Sequence, residues 1–242
     1  MTRFAFLTLA AAAAALSAGA AQAAEIYNNG PVVDANGKSV LTSPNTTLGL
    51  GDQTSVGNSV ADDFTIAAGK SWNISSLDFF GYQTSSTGFT FQQATWAIHL
   101  GDVNSGTVVA SGVTKLTDGG LQGYRVTPTT LTNTARGIYK AQADVTDFTL
   151  AAGHYWLSWS LTGSLASGPW QPPVSDGRIG NAQQATSGGA YATWTDTGSG
   201  LTAEMPFAIN GMTAAVPEPS SYALMLAGAA LMLGVVRRRK AC

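Results

Sequence analysis

Proton-transfer chemistry in this chain would have to come from few side chains. Histidine occurs twice, as His99 and His154. Neither belongs to a His-Glu-x-x-His run, and the chain has no Gly-x-Ser-x-Gly elbow or glycine-rich phosphate loop leading into a helix. A hydrolytic triad is therefore not legible, and the two histidines are expected to be a strand residue and a turn residue without chemistry. Among the acids, Asp62, Asp63, Asp147 and Glu204 are the candidates for a glycosidase pair, which needs carboxyl groups roughly 5 to 9 Å apart. Asp62 and Asp63 are neighbours, so on a strand they should face opposite ways and not pair directly. The same two are the first suspects for a Ca²⁺ ion, although no Asp-x-Asp-x-Asp-Gly loop is present. No catalytic residue, cofactor or metal site is assigned beyond that weak pair.

Aromatic residues offer a different chemistry. Sugars lay their apolar faces on exposed rings while amides and acids bond their hydroxyls. Six tryptophans are available. Trp72, Trp96 and Trp159 read as core, whereas Trp156, Trp170 and Trp194 are the candidates for carbohydrate binding, provided that two of them line one groove. Nucleic acid is a poor partner. Between residues 24 and 216 thirteen acids face seven bases, and the bases (Lys38, Lys70, Lys115, Arg125, Arg136, Lys140, Arg178) are scattered singly rather than clustered for a phosphate backbone.

The elements that must position these residues are strands. Thr95 to Leu100 alternates, with Trp96, Ile98 and Leu100 on one face; Tyr155 to Leu161 does the same with Tyr155, Leu157, Trp159 and Leu161. Further strands are expected at 59–66, 72–82, 106–113, 121–127, 138–150, 178–182, 190–195 and 204–213, separated by turn residues such as Asp118-Gly119-Gly120 and Ser187-Gly188-Gly189. An internal echo links Phe64-Thr65-Ile66-Ala67-Ala68-Gly69-Lys70-Ser71-Trp72 to Phe148-Thr149-Leu150-Ala151-Ala152-Gly153-His154-Tyr155-Trp156. Each reads as strand, tight turn with a glycine free to take positive φ, and strand. About 190 residues in ten or so short strands point to an all-β fold, an antiparallel jelly-roll-like β-sandwich with one core. The only cysteine is Cys242, so packing, not a disulfide, must hold the body together.

Both ends differ from this body. Residues 1–23 carry Arg3, an apolar alanine-rich run, and small residues at Ala21 and Ala23, the pattern of a cleaved secretory signal. Residues 216–242 run Val216-Pro217-Glu218-Pro219-Ser220-Ser221, then fifteen mostly apolar residues from Tyr222 to Val236, then Arg237-Arg238-Arg239-Lys240. A bilayer core about 30 Å thick asks for about 20 helical residues, so this apolar helix is a short membrane span. The basic cluster pins its end in the cytoplasm. Two prolines bracketing Glu218 hold that stretch extended, the form that fits a processing cleft.

The order Pro217-Glu218-Pro219, apolar helix, and Arg237 to Lys240 resembles the PEP-CTERM sorting signal of Gram-negative bacteria. The resemblance covers about 25 residues and departs from the pattern at the trailing Ala241 and Cys242. It implies a transient partner, an exosortase that cleaves near the Pro-Glu-Pro motif and passes the protein to the cell surface, with the precursor held in the membrane by its C-terminal helix until then. The expected organisation is a signal peptide over 1–23, an exported body over 24–215 and a sorting segment over 216–242. Functionally this means a non-enzymatic protein exported across the inner membrane to the surface or extracellular matrix, associated with exopolysaccharide or biofilm. The alternative is a carbohydrate-binding β-sandwich exported by the same route, and a hydrolase of unfamiliar type stands third.

Overall fold

The computed structural model describes residues 23–41 and 46–216. The expected secretory signal, with Ala21, and the Pro217-Glu218-Pro219, Tyr222 to Val236, Arg237 to Lys240 and Cys242 features lie outside the described residues, while Ala23 sits exposed just before the first strand.

Short strands open the chain: β1 (Ala24–Asn28), β2 (Lys38–Val40) and β3 (Leu50–Gly51), then a 3₁₀ turn at Thr54–Val56. Long strands follow as β4 (Ser59–Ile66), β5 (Lys70–Gly81), β6 (Phe91–Leu100), β7 (Thr107–Val126), β8 (Gly137–Leu150) and β9 (Gly153–Gly163). The chain then makes β10 (Trp170–Gln171), β11 (Gln183–Ala185), β12 (Ala192–Thr193) and β13 (Phe207–Ala215). Among the described residues no helix is long and apolar enough to cross a membrane. The fold is all-β, as the strand and turn composition requires.

One curled sheet runs β1-β13-β5-β8-β7-β6-β9-β4-β11-β12, antiparallel throughout, with β2 added in parallel to the end of β7. Its hinge is β7. From Thr107 to Lys115 this strand pairs with β6, and from Leu116 to Tyr124 it pairs with β8. The expectation of two strands broken by a turn at Asp118-Gly119-Gly120 is corrected here: the three residues form an irregularity inside one strand of 20 residues. An extra residue in one strand bends it without reversing it. Gly120 takes φ +96°. At Gly123 a side chain would run into the Gly37 carbonyl, so glycine lets β2 close against β7.

The curl brings the two halves face to face around a shared aromatic core. Phe64 on β4 stacks on Trp72 of β5 with centroids 5.6 Å apart; Phe79 of β5 meets Trp159 of β9 at 5.6 Å, and Trp159 meets Phe207 of β13 at 5.7 Å. Trp96 of β6 stacks on Phe148 of β8 at 5.9 Å. Trp72, Trp96 and Trp159 are core residues, as their alternation predicts. In β9 every residue from Tyr155 to Leu161 is buried.

The echoed nonamers form the two corners that join the halves, β4 into β5 and β8 into β9. They lie side by side, because β4 pairs with β9 and β5 with β8. Gly69 has the positive φ expected of it, +73°, but Gly153 does not; it already belongs to the strand and lies against the Tyr155 ring. The expected strand at 178–182 is also displaced, since pairing begins at Gln183.

Candidate functional site

Asp62 lies on the core side of β4 between Val60 and Phe64 and is fully buried. Asp63 points outward. Even so, one ligand oxygen from each, with one from Glu204, lies within 4.8 Å of the others. This differs from the opposite-face expectation, and the reason is local. β11 pairs with β4 only from Ser59 to Ala61, which leaves that edge of β4 open at the two acids. The chain bridges the gap with residues 203–205: Ala182 donates its N–H to Ala203 O (3.1 Å), and the Met205 N–H reaches Asp62 Oδ2 (2.6 Å).

Asn29, just after β1, closes the cluster. Its amide nitrogen donates to Asp62 Oδ2 (2.9 Å), Glu204 Oε2 (3.3 Å) and Met205 O (3.1 Å), while the Tyr27 hydroxyl donates to Asn29 Oδ1 (2.8 Å). Burial pushes the Asp62 carboxyl well above the usual range, with the hydrogen bond and charge of Glu204 adding to it. Burial, followed by Asp62, Asp63 and Glu204, likewise raises the Tyr27 phenol. The Arg178 guanidinium lies over Gly30, and the Glu204 carboxylate lies against Gly180, two positions where a side chain would collide. On the outer face His154 Nε2 sits 2.6 Å from Asp63 Oδ2. The histidine expected to be an idle turn residue therefore has a carboxylate partner.

Chemically the cluster is one buried carboxyl, Asp62, beside the half-buried Glu204, with a carboxylate–imidazole contact on the outer face. Hard oxygen donors of this kind suit Ca²⁺, but Asp62 Oδ2 already accepts two N–H groups, from Asn29 and Met205. The oxygens are turned towards hydrogen-bond donors, not arranged as a vacant cage. Asp147, on β8, is exposed and not part of the cluster.

The three candidate tryptophans sit in three different places. Trp156 is only 6 % exposed, packed with Ala61, Val103 and Tyr191, which corrects the expectation of an open ring: Val103 and Tyr191 cover the outer face of β9 at this position, so the residue opposite the core is buried too. Trp170 is half-buried against Val32, Phe80, Tyr82 and Ile138. Trp194 leans on the main core. No shared stacking platform results.

Two features of the site region escaped the sequence. Arg125 is buried, donating to Leu48 O (2.7 Å), Thr47 O (2.8 Å) and Ser39 Oγ (3.0 Å), and burial lowers its pKa to about 10. The second is an open trough of about 490 Å³ over the outer face of β9 and β6, floored by serine, threonine and alanine and rimmed by Tyr191. Its residues come from five separate stretches of chain, and no spacing within one stretch could announce it.

The described body is thus an all-β protein with a curled antiparallel sheet. The PEP-CTERM protein-sorting motif matches residues 215–240, so the chain carries the motif of exosortase-targeted exported proteins. No curated protein and no solved structure matches the chain.

Proposed function

We propose that this protein is a non-enzymatic component of the cell surface or extracellular matrix, exported as a jelly-roll-like body over 24–215 and released by cleavage near Pro217-Glu218-Pro219. A membrane-held precursor, anchored through Tyr222 to Val236 and stopped by Arg237 to Lys240, precedes that product, and the product associates with exopolysaccharide. The observation that carries the reading is the sorting motif at residues 215–240, which begins where β13 ends, at Ala215. At the end of the described body the Val216 N–H donates to Gly69 O (2.9 Å), which ties the residue before the motif to the β4–β5 corner.

Mass spectrometry of the protein recovered from its producing cells tests this. The expected species begins near Ala24 and ends near Pro217, and cells lacking the sorting enzyme should retain the basic tail. Full-length tail on the surface protein of normal cells would overturn the reading.

A further inference from the structure

We propose that the trough on the outer face of β4, β9, β6 and β7 binds a neutral polysaccharide chain laid across the strands. Register builds the floor. Ser158, Ala97 and Ser111 form one row across β9, β6 and β7, and Ser160, Thr95 and Val113 form the next. Side chains this short leave the floor low while both sides rise. On one side the 3₁₀ turn is seated by Thr54 Oγ1 against Ser160 Oγ (2.9 Å). On the other side stands the Trp156–Val103–Tyr191 cluster. The Tyr191 backbone is clamped twice to Asn104, its N–H donating to Oδ1 (2.8 Å) and its carbonyl accepting from Nδ2 (3.0 Å). A half-exposed ring held in advance of binding loses little entropy when a sugar face stacks on it.

The lining selects the ligand class. None of the residues around the trough carries a charge, in a chain with 26 charged residues by the sum of 12 basic and 14 acidic. Phosphorylated, acidic or basic polymers would find no counter-charge there. A peptide that adds as a strand would need a free strand edge to pair with, yet β9 is bonded on both sides, to β6 and β4, and so is β6, to β7 and β9. What remains to meet a ligand are the exposed Thr95 and Ser111 hydroxyls, the exposed Val113 side chain and the Tyr191 ring, the mixture that suits a hydroxyl-rich uncharged chain. Its volume, about 490 Å³, falls within the range of about 300 to 1,000 Å³ typical of ligand clefts. The inference rests on the surface or matrix reading for its biological setting.

Affinity electrophoresis tests it with the full chain in lauryldimethylamine oxide, a detergent without a sugar head. Native gels contain dextran, galactomannan, hydroxyethyl cellulose or, as the acidic comparison, alginate. The expected result is retardation by at least one neutral polymer, weakened about tenfold by Ala97→Arg, which fills the floor, and by Tyr191→Ala. Thr149→Arg, which adds the same charge at an exposed position of β8, should leave it unchanged. Circular dichroism confirms that each variant keeps its fold. No retardation by any neutral polymer, retardation by alginate alone, or equal weakening by Ala97→Arg and Thr149→Arg overturns the proposal. Because the gel does not read processing and the mass measurement does not read binding, failure of the trough and failure of the sorting reading are told apart.

Discussion

Asp52 is the residue whose energetics are least balanced. It is wholly buried, and neither carboxyl oxygen has a hydrogen-bond partner among the described residues. Burial drives its pKa well above the ordinary value, outweighing its own backbone N–H. A folded-state pKa that is raised means the folded form holds the proton more tightly. Stability from this group is therefore full below the unfolded pKa near 4 and declines as pH rises towards the folded value. Asp62 works in the same direction, while Asp196 works in the opposite one: burial tends to raise it, but hydrogen bonds from Thr47, Thr46 and Ser199 outweigh that and hold it well below the carboxylate range. Asp52→Asn should thus flatten the pH profile of stability above pH 4, gaining on the parent by roughly 1 kcal/mol per pH unit across the titrating window. Denaturant unfolding at pH 4 through 8 reads this; parallel profiles for parent and variant would refute it.

At the scale of elements, two glycines separate conformational need from close approach. Gly69 turns the β4–β5 corner at φ +73° with nothing within 4 Å of where a Cβ would sit, so Gly69→Ala pays only for left-handed backbone, about 1 kcal/mol. Gly211, beside the irregularity at Asn210 in the β13–β5 ladder, has the Asn73 carbonyl in the way of any side chain. Gly211→Ala should cost about 3 kcal/mol, and thermal denaturation of the two variants should rank them in that order. Periodicity exposed the long strands well: residues 59–66 and the alternations of β6 and β9 are where the pattern places them. It could not show that Val103 and Tyr191 cover the outer face of β9 at Trp156, which is why that ring looked free, nor that Asp118 to Gly120 bends a strand instead of ending one. A bulge and a turn use the same residues; which one forms depends on whether β8 continues alongside.

For the whole molecule, the continuous sheet through β7 ties both halves to one aromatic core, so neither half has a core of its own. Unfolding should be a single cooperative event. Far-ultraviolet circular dichroism and tryptophan fluorescence are expected to give the same midpoint on heating, since Trp72, Trp96 and Trp159 all report on that core. Two separated transitions would show that the halves are independent.

By itself the amino-acid order determined the all-β body and the delivery route. Those are local matters: side chains alternate along a strand, and a sorting motif is read as a linear string, Pro217-Glu218-Pro219 through Lys240, within residues 215–240. Tertiary structure alone decided which distant residues meet. Asn29, Asp62 and Glu204 converge because β11 leaves β4 early, and Ala97, Ser111 and Ser158 align because three strands settle in one register. Register follows from burying the aromatic core as a unit, a collective free energy that no single stretch of chain contains.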